Sequence, residues 1–482
     1  MSSKKVSESS KATERQPTNS PEVGDKPISA KRDLFLALLG IAFASIIAAF
    51  DATIISTILP QVAQALDGMS LYAWVGTGYF LASSVSILIF GRLGDLYGRK
   101  PLLLLSLVLV SLGSALSGLA QSMEQLILFR VLQGVGGGMM VATAFAAPAD
   151  LFPDPKERVR WMVVLSSTFA MASGVGPVLG GAITQNFGWR AAFFLIPLIG
   201  CISMIVIWKF FPMIKPHPNR RFKLDWWGGA LLIVTVATPL LGLEFLTAEH
   251  ITVSRWVGVM LIVTAIVGGV VLLKVERHAQ TPIFPLRVLN TTQARFLNVS
   301  ALLAGAVMFI LVYYIPLQSQ DVFGFSPTLA GLLVSPLVAG IPVGSIINGR
   351  LFPREANPQR LMMLGSILLG VGCALALTFS KDDAVWYMLT VMGLCGLGLG
   401  FLLPNFTLFM QIVCARNDIG MGSALIQTMR ALGSAIGTAA VGSLIVRFSI
   451  NTGLQIGLVA CVAMCAAIWW LSTRIRMESF TR

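Results

Sequence analysis

Long apolar runs separated by short polar stretches organise this chain. They lie at about 34–59, 72–91, 101–120, 125–147, 162–184, 191–212, 227–247, 254–273, 296–317, 328–349, 359–380, 385–410, 420–446 and 455–473. Each is long enough to cross a hydrocarbon core of about 30 Å as an α-helix. A helix also satisfies its own backbone polar groups where no water can. The pattern predicts an all-α polytopic membrane protein with 14 transmembrane helices. Residues 1–32 are polar, without an apolar stretch, and read as a disordered cytoplasmic tail. Residues 475–482 form a short second tail.

Charge then orients the runs. With the N-terminus in the cytoplasm, 29 of the 35 Lys and Arg residues fall in the tails and inner loops. Four fall outside: Arg190, Arg255, Lys381 and Arg447. Arg130 and Arg430 lie within runs. This bias predicts that both termini are cytoplasmic. It puts the charged stretch GRLGDLYGRK, residues 91–100, on the same side. Composition agrees, with 55% hydrophobic and 12% charged residues, where soluble domains carry about 25% charged. The net charge of +13 is scattered through short loops, which argues against a nucleic-acid partner. The six cysteines show neither metal spacing nor a disulfide framework and read as small core residues. No His, Ser or Cys constellation suggests catalysis, and no metal or cofactor is expected.

A repeat divides the chain. Gly91-Arg92-Leu93 closes the second run and Gly349-Arg350-Leu351 the tenth. The spacing fits six helices (33–212), a linker with two more (213–290), and six again (291–474). Two six-helix halves in parallel repeat are the plan of many secondary transporters.

Several motifs carry a family resemblance. GRLGDLYGRK resembles the loop motif G-x-L-x-D-x-x-G-R-K of the major facilitator superfamily. AFDATIISTILP (49–60), LILFRVLQGVGGG (126–138) and ASGVGPVLGGAI (172–183) resemble its drug:proton antiporter motifs in helices 1, 4 and 5. YYIPLQSQDVFGFSPTLAGLLVSP (313–336) is similar to the ninth and tenth helices of the 14-helix branch. The second-half loop copy, GRLFPREANPQR, lacks a counterpart of Asp95. The resemblance implies a major facilitator fold of two six-helix bundles plus two inserted helices. It also implies proton-coupled export of amphipathic or cationic organic compounds, which is multidrug efflux by alternating access. The alternatives are a dedicated exporter of a metabolite, amino acid or siderophore in the same fold, and a membrane sensor or enzyme. Small organic substrates, protons and the bilayer are the expected partners. The setting is a cell membrane, with a monomer as the simplest assembly.

Residue chemistry points the same way. A carboxylate inside a helix costs about 2.5–3.5 kcal/mol on insertion scales and persists if it faces a partner or a wet cavity. Asp51 can therefore exchange a proton as its surroundings open and close. Arg130 lies at a similar depth, about 8 Å from the outer surface against about 12 Å for Asp51. Pairing is allowed, and the alternative for Arg130 is snorkelling to the headgroups. Pro177 bends its helix, and Gly174, Gly176, Gly180 and Gly181 form a small-residue face for close helix approach. In the 91–100 loop, Gly91 and Gly98 permit tight geometry. Asp95 is expected at a helix N-terminus, where the dipole favours an anion. With Arg99 and Lys100 it forms, by resemblance, a cytoplasmic latch. Tyr79, Tyr313, Tyr314, Gln318, Asn405, Gln411, Gln427 and Arg430 are candidates to line a substrate cavity.

Overall fold

The computed structural model describes residues 31–144, 147–152, 155–213, 252–278, 286–355, 357–414 and 419–475, with scattered positions between 228 and 242. Among these the regular structure is entirely helical. The first half contains α1 (Lys31–Thr53), α2 (Ile55–Ala65), α3 (Tyr72–Tyr97), α4 (Arg99–Leu119), α5 (Met123–Ala144), the short α6 (Ala147–Leu151), α7 (Pro155–Phe187) and α8 (Trp189–Phe210). Then follow α9 (Thr252–His278), α10 (Thr292–Leu317), α11 (Pro327–Leu351), α12 (Gln359–Ala376), α13 (Val385–Val413), α14 (Ile419–Arg447) and α15 (Ile450–Arg474). Twelve helices among the described residues are long and apolar enough to cross a membrane. They coincide with twelve of the fourteen apolar runs. The run at 162–184 is α7, whose Gly- and Ser-rich stretch is less apolar. The run at 227–247 lies largely outside the described residues, as do the tails before residue 31 and after 475.

The first run differs from the single helix expected. It breaks between Thr53 and Ile55 and continues to Ala65. Pro60 has no N–H to donate to the Ser56 carbonyl and its ring crowds that turn. The hydroxyls of Thr53, Ser56 and Thr57 donate to the carbonyls of Ala49, Thr53 and Ile54 at 2.7–3.0 Å. Such back-bonding bends helices. The break falls two residues beyond Asp51.

In the first bundle α1 packs on α7 and α8, and α5 packs on α3 and α4. In the second, α10 packs on α14 and α15, and α13 packs on α11 and α12. The bundles meet along two long seams, α7 with α11 and α3 with α14, and where α2 touches α10. Hydrogen bonds sew these seams on the face away from the Gly98 turn. Gln64 Nε2 donates to Asp321 Oδ1 (2.7 Å), and Gln320 Nε2 donates to the Thr57 carbonyl (3.0 Å). Tyr72 donates to the Tyr313 carbonyl (3.0 Å) and Thr328 to Gln185 Oε1 (2.6 Å). The hydroxyls of Thr77 and Thr438 meet at 3.0 Å. Two of these side chains, Gln320 and Asp321, stand on a π-helical turn, Gln318–Val322, that extends α10. The molecule is thus sealed on that far face. Leu272 of α9 packs with Val85 and Leu88 of α3 and Ala424 of α14, so the inserted helix leans on the α3–α14 seam.

Candidate functional site

Three helices of the first bundle converge on Asp51. The carboxylate is fully buried at the end of α1, and Arg130 of α5 is 1% exposed. Arg130 Nη1 donates to Asp51 Oδ1 at 2.8 Å. The same Nη1 also donates to Gln133 Oε1 at 2.9 Å. Gln133 Nε2 donates in turn to Asp51 Oδ1. Carboxylate, guanidinium and amide thus close a triangle, while the buried Asp51 Oδ2 has no hydrogen-bond partner. The Arg130 guanidinium also lies 4.3 Å above the Tyr79 ring of α3, a cation–π contact. Close packing makes this reach possible. A methyl group on Gly134 would lie 2.4 Å from the Tyr79 carbonyl oxygen, and one on Gly138 2.4 Å from that of Ser83. The GVGGG run therefore brings the backbone of α5 against α3.

An aromatic chain links this triangle to the second bundle. Tyr79 meets Phe80 edge-on, with ring centres 5.4 Å apart. Phe80 lies 4.1 Å from Phe309 and 6.0 Å from Tyr313, both on α10.

The other sequence candidates separate into groups. Tyr313 and Tyr314 are completely buried at the seam, where the Tyr314 hydroxyl donates to the Thr438 carbonyl. Gln318 is buried and donates to Asn451 Oδ1 at 2.9 Å. Asn405 exchanges amide hydrogen bonds with Asn348 at 2.9 and 3.0 Å. Gln411 is exposed and donates to Ser423 at 3.0 Å. Gln427 and Arg430, on α14, are half-buried, and Gln427 Oε1 has no partner.

The glycines of 172–183 do not form one face. Gly176 and Gly180 lie against Phe50, Thr53, Ile54 and Thr57 of their own bundle. Gly174 and Gly181 lie against Ala339 and the Pro327–Thr328 backbone of α11, across the seam. The Pro177 carbonyl accepts from Thr57 Oγ1 at 3.1 Å. In the 91–100 loop the connection is a single residue, Gly98, at φ 84°. Lys100 donates to the carbonyls of Trp208 and Phe211 at 2.8 and 2.6 Å, capping the end of α8 with a cation. Asp95 belongs to the last turn of α3 rather than to a helix N-terminus. Its side chain lies outside the described residues, so the latch pairing does too. Gly91 comes near the Ala142 methyl, and Arg99 opens α4.

Reading residues alone missed Gln133, although it stands one turn from Arg130 in the quoted motif. It also missed Gln64, Gln320 and Asp321. Their polar pattern near a helix end looks like ordinary interfacial sequence until the second bundle is placed beside it.

Two bundles of membrane-length helices, sealed to each other on one face and holding a buried ion pair, define a polytopic membrane transporter. The family model described as Major Facilitator Superfamily matches residues 41–438, and the chain belongs to that superfamily. The chain is 31% identical over 414 residues to "Multidrug resistance protein 3" of Bacillus subtilis (strain 168), covering 84% of this chain and 78% of that protein. It is 30% identical over 409 residues to "Multidrug transporter protein MdtP" of the same organism, covering 85% and 74%. In fold it is similar to a crystal structure of the peptide transporter POT in complex with sulfate, at TM-score 0.67 and 14% identity over 91% of this chain and 94% of that one.

Proposed function

We propose that this transporter exports amphipathic organic compounds in exchange for protons, by alternating access between its two bundles. The observation that carries the reading is the buried Asp51–Arg130–Gln133 triangle. The names of the Bacillus relatives support export of drug-like molecules. Asp51 carries the proton on Oδ2. Protonation removes the charge that holds the Arg130 guanidinium, and a buried ion pair that loses one charge becomes strongly unfavourable. Substrate entering from the Gly98 side draws Arg130 away from Asp51, the Tyr79 and Phe80 rings follow, and the seam at Phe309 and Tyr313 loosens. After substrate leaves on the sewn side, Asp51 takes up a proton there and that side closes again. Deprotonation on the Gly98 side then restores the triangle, so protons enter as substrate leaves. Substrate and proton compete through this equilibrium, each favouring one arrangement.

By the charge bias, the Gly98 face and both termini are cytoplasmic and the sewn face is external. The protein sits in a cell membrane and acts as a monomer, with bundles at 33–212 and 291–474 and the inserted pair at 213–290 between them. The 91–100 loop, with Asp95, Arg99 and Lys100, serves the cytoplasmic gate.

The test is fluorescent-substrate efflux in a pump-deficient host. Expression should lower dye retention, and a protonophore should restore it. Efflux that persists undiminished with the proton gradient collapsed would rule out proton coupling.

A further inference from the structure

We propose that Arg430 is a binding site for the anionic group of the substrate, and that the preferred cargo is an amphipathic organic anion such as a carboxylate or sulfonate. The inference rests on the exporter reading for its biology and names that exporter's substrate class.

Depth is the first argument. Arg430 lies 11 residues from the start of α14 and 17 from its end. At 1.5 Å per residue these are about 16 and 25 Å. An arginine side chain reaches about 7 Å, so this one cannot snorkel to either headgroup layer. An unpaired guanidinium at such depth is costly and marks a partner or a wet cavity. Arg430 also stands on the protein-facing side of its helix. Gly305 of α10 touches the Arg430 backbone, and Ser434, one turn on, donates to the Gly305 carbonyl. Ile436, an exposed position, lies about 120° around the helix.

Charge is the second. Among the described residues no ion pair or hydrogen bond engages the Arg430 side chain, whereas Arg130 is paired with Asp51. Asp51 is engaged by Arg130, and Asp321 lies at the sewn face bonded to Gln64. The first bundle thus holds a neutralised acid, and the second an un-neutralised cation in Arg430.

Shape is the third. Gln427 lies one turn before Arg430, and its amide NH2 can donate to the same anion. Guanidinium and amide at this spacing share one helix face. The planar guanidinium fork suits two-oxygen groups. One turn along α10 from Gly305, Phe309 packs at a tilt against Phe80, with ring centres 4.1 Å apart, so the neighbourhood of Arg430 is apolar.

Three dansyl compounds of similar size test this by equilibrium dialysis against the purified full-length protein: dansylglycine (anion), dansylamide (neutral) and dansylcadaverine (cation). Wild-type protein should bind dansylglycine at least tenfold more tightly than the other two. Arg430→Gln should erase that preference, while Arg430→Lys keeps most of it. Equal affinities in the wild type, or a preference unchanged in Arg430→Gln, would overturn the assignment. The wild-type comparison needs no variant, so a folding defect cannot rescue the idea. Dialysis uses no proton gradient. Failure of proton-driven efflux would thus remove the coupling reading and leave this result standing.

Discussion

Asp51→Asn is expected to cut pH-gradient-driven efflux at least tenfold and to abolish the proton release that accompanies substrate binding in detergent. Both donors, Arg130 Nη1 and Gln133 Nε2, fall on Oδ1, and a titrating Oδ2 is the atom the asparagine lacks. The substitution also strands Arg130, which is 1% exposed. Breaking a buried pair by removing one partner costs about 3–5 kcal/mol, so the variant should melt measurably earlier. The double variant Asp51→Asn/Arg130→Gln removes both charges. It should regain most of the lost stability and none of the coupling. A double variant that regains coupling, or a single variant that couples as wild type, would move the proton site elsewhere.

Gly331→Val and Gly181→Val are expected to lock the transporter away from the arrangement seen here. A methyl group on Gly331 would lie 2.3 Å from the Pro177 carbonyl oxygen, and one on Gly181 2.3 Å from that of Pro327. Both obstacles are backbone, held by a kinked helix and by the start of α11. Overpacking of this kind costs about 1–3 kcal/mol, and here it burdens the far-face-sealed state alone. Such a bias shifts a two-state equilibrium about 5- to 150-fold. Turnover should fall by at least tenfold. A cysteine replacing Thr77, buried at the seam, should react faster with a membrane-impermeant maleimide. Unchanged turnover and labelling would show that the α7–α11 seam does not open.

The helices were legible because lipid imposes a simple rule: every span must be apolar and about twenty residues long. The same rule hides what happens between spans. Hydropathy cannot see the break after Thr53, which comes from Pro60 and three hydroxyls. Asp51 and Arg130 stood out because charge in a span is rare, and depth counting allowed the contact that the structure supplies. Gln133 is neutral and its role depends on the approach of α1 to α5, which no local pattern encodes. The glycines of 172–183 were legible as a packing surface, but not as two surfaces facing different bundles. The tyrosines were ambiguous for a related reason. Tyr313 and Tyr314 lie side by side in sequence, and only the docking of α3 and α14 determines that both are buried. Lys100 reads as a latch cation in sequence, yet it caps α8 within its own bundle.

The proposed exchange of substrate for protons through Asp51 is obligatory. It is tested most directly in proteoliposomes that enclose a pH-sensitive dye, with no initial pH gradient and an imposed outward substrate gradient. Substrate leaving through the protein should acidify the lumen, and Asp51→Asn should show no pH change above empty vesicles. Substrate efflux by the wild type without acidification, or equal acidification in the variant, would contradict it.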